Sequence, residues 1–295
     1  MVLSLACAAA VGCGPGESGI TDPEPSPETP PSPNYVRLES DAGDFIGGGK
    51  TYAYTQENAE IIVSENRGHL RIRLRGDEEW FGDFQAPNAS TQFQPGEYHN
   101  LTRWGFHDPA TGGLSWIGEG RTCNTVTGHL EVDSVTYDNG KLVAIALSFE
   151  QLCESSAAAL RGAIHWRSDD PTRPPEPVNP APGGLWRPEP GATPAAGNFV
   201  YLKSDAGDYV GAGQTHVYTE ANSVIAVSAN GGRLTIEVNG AQAWSGDFQT
   251  MNTITRLDPG YYADLHRPPF HNPVKGGLSW DGQGRRCTTS VGLLA

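Results

Sequence analysis

Cationic residues are scarce in this chain: 20 Lys and Arg against 34 Asp and Glu leave a net charge of −14 over 295 residues. Sequence-independent affinity for nucleic acid comes from neutralising phosphates with Lys and Arg, so this balance excludes nucleic acid as a partner. Long apolar runs are missing as well. The run of apolar and small residues at 1–13, M-V-L-S-L-A-C-A-A-A-V-G-C, is too short to span a bilayer. No Gly-x-Ser-x-Gly elbow, His-Glu-x-x-His helix, Walker loop, EF-hand loop or Gly-x-Gly-x-x-Gly turn occurs, which removes the enzyme classes built on those motifs. Apolar periods of 3.6 are absent too, so nothing reads as a long amphipathic helix.

What is present is a repeat. Asn34–Glu131 aligns without a gap on Asn198–Ala295 at an offset of 198 − 34 = 164, with about half of the positions identical. Copy 1 continues through Val132–Trp166, whose counterpart in copy 2 would run past Ala295, so copy 2 is expected to be incomplete, as from a clipped reading frame. Sixteen of the 23 prolines fall in 14–33 and 168–197, segments too poor in apolar residues to bury a core. The division is therefore a leader over 1–13, a Pro-rich acidic spacer over 14–33, copy 1 over 34–167, a Pro-rich linker over 168–197 and copy 2 over 198–295. Leu185 and Trp186 are the large apolar residues of that linker and are candidates to dock on a domain.

Within each copy the apolar period is two. His69–Arg75 places Leu70, Ile72 and Leu74 on one face and its arginines on the other, and its counterpart Arg233–Asn239 keeps the apolar face while Arg71, Arg73 and Arg75 become Thr235, Glu237 and Asn239. The basic stripe is a solvent face. Val143, Ile145, Leu147 and Phe149 alternate likewise, and Asp138-Asn139-Gly140 is a type I′ hairpin signal joining them to a strand at Leu130–Tyr137. Further strands are expected at Tyr35–Glu39, Thr51–Thr55, Ala59–Ser64, Glu79–Gln85, Glu97–Leu101, Gly113–Ile117 and Leu160–Trp166. About ten short strands per complete copy predict an all-β protein of tandem antiparallel β-sandwich domains, jelly-roll-like, the second truncated.

Cys123 and Cys153 are the two cysteines of copy 1, and in a secreted chain such a pair reads as a disulfide contributing about 3–4 kcal/mol. Cys287 is the counterpart of Cys123; its partner would be position 317, so the arithmetic expects Cys287 to take no disulfide. Zinc would need two further ligands that no Cys-x-x-Cys or close His pair supplies.

The comparison of copy with copy selects site candidates. Ser-Asp-Ala-Gly-Asp at 40–44 recurs at 204–208, Trp-x-Gly-Asp-Phe-Gln at 80–85 recurs at 244–249, and Phe106-His107-x-Pro109 recurs at 270–273. The run 112–123 recurs entire at 276–287. Asp41, Asp44 and Asp83, with Asp205, Asp208 and Asp247, carry oxygen ligands for Ca²⁺, while Asp beside Gly is equally a turn cap. Trp80 and Trp116, with Trp244 and Trp280, are either core anchors or platforms for stacking sugar rings. His107 beside an Asp would make the acid–base pair of a hydrolase, against the alternative of a packed loop residue. Arg103 and Arg121, retained as Arg267 and Arg285, are candidates to lock loops.

Two resemblances add to this reading. Small residues ahead of Cys13 resemble the lipobox of bacterial lipoproteins, which implies export and lipidation of Cys13 at the cell envelope; Ala10 stands where that pattern prefers Leu, and no Lys or Arg precedes Arg37. The runs Gly120-Arg121-Thr122-Cys123-Asn124-Thr125, Val132–Tyr137, Phe149–Glu154 and Ala159–Gly162 resemble a domain repeated in secreted bacterial proteins. That resemblance implies a β-rich extracellular module stapled by its paired cysteines. Together these readings predict a non-enzymatic, lipid-anchored surface protein with an adhesive or carbohydrate-binding role toward a glycan or surface protein. The alternatives are passive spacer domains or a hydrolase using His107.

Overall fold

The computed structural model describes residues 34–288 and 291–295, so the leader, Cys13 and the acidic spacer lie outside the described residues. Two compact units divide the described chain, one ending at Pro174 and the other running from Pro175 to Ala295. Both are all-β.

Copy 1 contains β1 (Tyr35–Ser40), β2 (Thr51–Thr55), β3 (Glu60–Asn66), β4 (His69–Arg75), β5 (Glu79–Gln85), β6 (Gly96–Arg103), β7 (Gly113–Gly118), β8 (Val126–Asp138), β9 (Lys141–Cys153) and β10 (Ala159–Arg167). All ten join one sheet in the order β2-β1-β10-β9-β8-β6-β7-β5-β4-β3. Every pair is antiparallel except the short parallel contact of β6 with β7. The two edges, β2 and β3, are consecutive in sequence and separated by only Gln56–Ala59, so the sheet must curl until its edges approach each other. Its concave face holds one core, with Leu38, Leu70, Ile72, Leu74, Trp80, Phe84, Leu114 and Trp116 all fully buried. Asn34 closes the module: its side chain bonds the backbone N and O of Arg167 at 2.6 and 3.0 Å.

The alternating pattern placed most strands correctly, and Asn139 and Gly140 take the positive φ values, 49° and 79°, of the expected hairpin turn. One face assignment differs. Leu142 is buried whereas Val143 is only half-buried, because the register of β8 against β9 shifts between Thr136 and Tyr137 and reverses the side-chain alternation beyond it.

Copy 2 contains β11 (Phe199–Lys203), β12 (Thr215–Thr219), β13 (Val224–Asn230), β14 (Arg233–Asn239), β15 (Ala243–Gln249), β16 (Tyr262–His266), β17 (Gly277–Gly282) and β18 (Val291–Leu294). Their order β13-β14-β15-β17-β16-β18 repeats β3-β4-β5-β7-β6-β8, and β11-β12 repeats β1-β2. In copy 1 β9 and β10 join β8 to β1; among the described residues, copy 2 forms a sheet of six and a sheet of two. The linker takes part in this unit: Val178 forms an antiparallel bridge with Tyr261 (2.8 and 3.0 Å), and Trp186 stacks on Tyr201.

Cys123 and Cys153 form a disulfide, as their spacing predicts. Cys287, expected to take no disulfide, is not free either, and its partner lies outside the described residues.

Candidate functional site

The retained tryptophans are core. Trp80 and Trp116 are wholly buried and Trp244 and Trp280 nearly so, so none offers a face to a sugar ring. Trp-x-Gly occurs in both β5 and β7, and the antiparallel register sets Trp80 opposite Gly118 and Gly82 opposite Trp116. Each indole lies on the other strand's glycine, where a Cβ would overlap the ring. Trp80 Nε1 then donates to Tyr54 Oη at 2.7 Å, and Trp244 repeats the bond to Tyr218 at 2.7 Å. Burial drives the Tyr54 hydroxyl well above its ordinary pKa, which keeps it neutral as both donor and acceptor.

Asp41, Asp44, Asp83 and Asp247 are occupied, whereas Asp205 is exposed and Asp208 is occupied through Oδ2 alone, its Oδ1 buried without a partner. Asp44 is buried and accepts from Ser40 Oγ (2.7 Å), Gly47 N (2.7 Å) and Ile46 N (3.3 Å), a side-chain-capped turn. Asp208 repeats it with Ser204 Oγ (2.8 Å) and Gly211 N (2.6 Å). The glycine is required because a Cβ at 47 or 211 would run into the serine. Asp41 accepts from Ala159 N (3.1 Å) and Arg161 (2.8 Å), and these bonds hold its carboxyl below the usual range. Asp83 accepts from His69 (2.8 Å) and Arg71 (3.0 Å) on β4. In copy 2 Arg71 has become Thr235, but His69 has become Arg233, which holds Asp247 at 2.7 Å. Among the described residues no three His, Cys, Asp or Glu side chains stand close enough to share a metal ion, so Asp41, Asp44 and Asp83 are not brought together as Ca²⁺ ligands.

The arginine candidates lock loops. Arg121 Nε donates to Ile46 O at 2.7 Å and Arg285 Nε to Val210 O at 2.8 Å, tying the β7–β8 and β17–β18 connections to the capped turns. His107 packs on Gly113, where a Cβ would come within 2.8 Å of the ring, and its Nδ1 is buried without a partner. The adjacent Asp108 instead caps Ala110 N at 2.8 Å. The acid–base pair of a hydrolase is therefore not assembled at His107.

What stays exposed in both copies is a different group. Phe106 is 80% exposed and Phe270 72%. The guanidinium of Arg103 lies 5.1 Å from the Phe106 ring centroid, and that of Arg267 lies 4.9 Å from Phe270. Each arginine also donates to a main-chain carbonyl of the following connection, Asn124 O at 3.3 Å or Thr288 O at 3.2 Å, so exchange of Asn for Thr there does not matter. The turn that carries the phenylalanine differs between copies, Trp104-Gly105 against Pro268-Pro269, with Gly105 at φ 88°. Both turns close the same bond, from the phenylalanine N to the arginine O, at 3.1 and 2.9 Å. A second exposed aromatic position, Phe45 and Tyr209, sits on the capped turns. Sequence reasoning took Arg103 and Arg267 as loop locks and passed over Phe106 and Phe270 in favour of the histidine beside them; the signal was Arg-x-x-Phe persisting while both residues between changed.

No family model, no curated protein and no solved structure matches the chain.

Proposed function

We propose that this is a non-enzymatic, exported adhesive protein, lipid-anchored through Cys13 at the bacterial cell envelope, whose tandem sandwich-like β modules contact an extracellular glycan or protein surface through loop aromatics. The observation that carries this reading is the Arg–Phe pair kept exposed in both copies on two chemically different turns. Covering an exposed phenylalanine removes its apolar surface from water, a gain left unused while it stays exposed, and arginine with an aromatic ring is the composition enriched in contact surfaces. Two such pairs on one chain support avidity, which favours weak binding over catalysis as the reason for repetition. The curled sheet whose two edges approach supports a closed, two-layered module as its scaffold. Screening the chain on arrayed glycans and immobilised envelope proteins, beside a Phe106→Ala/Phe270→Ala variant, tests the reading: the hits should weaken at least about tenfold in the variant.

A passive spacer role has one observation in its favour, the complete burial or pairing of the retained Trp and Asp residues of copy 1. In that reading the double variant binds as the parent does, which is to say nowhere on either array.

A further inference from the structure

We propose that the Arg103–Phe106 and Arg267–Phe270 pairs bind an acidic polysaccharide, the guanidinium taking a carboxylate or sulfate of one sugar and the phenyl ring its C–H face. This rests on the adhesive reading and deepens it by naming the ligand class. The observation that carries it is which arginines the two copies share. In copy 1 Arg37, Arg71, Arg73 and Arg75 each pair with a carboxylate, and they become Tyr201, Thr235, Glu237 and Asn239. Arg67 stands in a turn and becomes Gly231. Arg103 and Arg121 are kept. These two, with Arg267 and Arg285, are held by main-chain carbonyls, and among the described residues none is in an ion pair. With 34 Asp and Glu in the chain carboxylates are the abundant partner, so the arginines common to both copies are ones the fold leaves unneutralised.

Arg121 is spent on the fold, its Nε on Ile46 O and its guanidinium 6.0 Å from the buried Trp80 ring. Arg103 and Arg267 differ. Each gives one N–H to a carbonyl, from Nη1 in copy 1 and from Nε in copy 2, which leaves most of the guanidinium's donors unspent beside a largely exposed ring. Carboxylates on the adjoining connections are taken up. Asp108 caps Ala110 N at 2.8 Å and becomes the neutral Asn272 in copy 2, while Glu154 accepts from the N–H groups of Asn124 and Thr125. A planar fork of donors next to an open apolar face matches an anionic group carried on a ring with an apolar face. One ring and one guanidinium per copy fall far short of the roughly 800 Å² per partner of a protein interface, yet they suit a single charged sugar. A polymer repeats that sugar, and two copies on one chain can engage two of them. The net charge of −14 repels a polyanion at long range, but at about 0.15 M salt the Debye length of about 8 Å confines that repulsion and leaves the short contact.

Immobilised polygalacturonate, alginate and chondroitin sulfate are presented to the full chain at about 0.15 M salt, each beside the same polymer with its carboxyls methyl-esterified or its sulfates removed. Saturable binding to at least one acidic polymer is expected, weakened at least about tenfold by neutralisation, the worth of a charge-assisted hydrogen bond. Loss on esterification assigns the carboxylate, and loss on desulfation the sulfate. Arg103→Gln/Arg267→Gln should weaken binding to the acidic polymer by about the same factor. The neutralised polymers need no variant and decide the question even where the glutamine chain fails to fold. Failure to bind any of the acidic polymers, equal binding to the neutralised forms, or undiminished binding by a folded glutamine variant overturns the proposal. If neutral glycans or proteins are then bound in a manner sensitive to Phe106→Ala/Phe270→Ala, the adhesive reading stands without it; if nothing is bound in that manner, both fall.

Discussion

Trp80 lies across Gly118, and a Cβ at position 118 would overlap the six-membered part of the indole. Trp116 lies across Gly82 in the same way, so two Trp-x-Gly segments on neighbouring strands interlock. Trp244 with Gly282 and Trp280 with Gly246 repeat the arrangement. Retention of these motifs between copies thus has a packing cause.

Gly118→Ala should destabilise copy 1 by about 1–3 kcal/mol, because the added methyl displaces a fully buried ring in a packed core. Trp80→Ala should cost about 3–5 kcal/mol through the cavity it leaves. Chemical denaturation of a chain carrying either change reads both, and a Gly118→Ala protein as stable as the parent would contradict the interlock.

The disulfide prediction is chemical as well as energetic. Cys123 and Cys153 join the β7–β8 connection to the end of β9, and Gln151 Nε2 approaches the Cys123 sulfur at 3.7 Å. Replacing both cysteines by serine should remove about 2–5 kcal/mol from copy 1. Mass spectrometry of the unreduced protein should find a peptide linking 123 to 153, and its absence would contradict the staple.

The two copies should also respond differently to acid. His216 of copy 2 stands where copy 1 has Tyr52; burial, with the Arg285 guanidinium nearby, holds its imidazole below the ordinary value of 6.5. Its Nε2 is buried without a partner, so the fold accommodates the neutral ring. At pH well above 6.5 the ring is neutral in folded and unfolded chains alike and contributes no pH dependence. As the pH falls below 6.5 the unfolded chain binds the proton first, and copy 2 loses stability until the lower folded-state value is passed. His216→Tyr should flatten the fall in the copy 2 melting temperature as the pH drops below 6.5; parallel curves for parent and variant would contradict the assignment.

Calcium is not expected to stabilise the modules. Asp44 and Oδ2 of Asp208 are committed to turn N–H and serine donors, and Asp83 to His69 and Arg71. About 1 mM Ca²⁺ should move the melting temperature by less than about 1 °C, whereas a rise of several degrees would return these carboxylates to metal binding.

Local structure was legible in the sequence because it follows from local periodicity. The face of β4, the Asp138–Gly140 turn and the Cys123–Cys153 pair each need only neighbours or copy-to-copy counting. The order of strands did not: β1 pairs with β10 across more than a hundred residues, and β6 meets β7 in parallel through a crossing connection. Neither pairing leaves a mark on period-two patterns. The site was misread for a related reason. Trp80, Gly82 and Phe84 share one strand face, so the alternation that identified the strand also placed Trp80 in the core, yet indole chemistry drew it toward sugar binding. Phe106 lies in a turn without period, where only its persistence beside two changed residues distinguishes it.

The most direct test of the account is the pair of exposed phenylalanines. The parent chain and the Phe106→Ala/Phe270→Ala variant are compared on the same glycan and envelope-protein arrays, with melting temperature measured on both. The account predicts that every array hit of the parent weakens at least about tenfold in the variant, the loss of aromatic contact at two sites, while the melting temperature stays within about 2 °C. Hits of undiminished strength in the variant, or a variant that loses binding only because it unfolds, would contradict it.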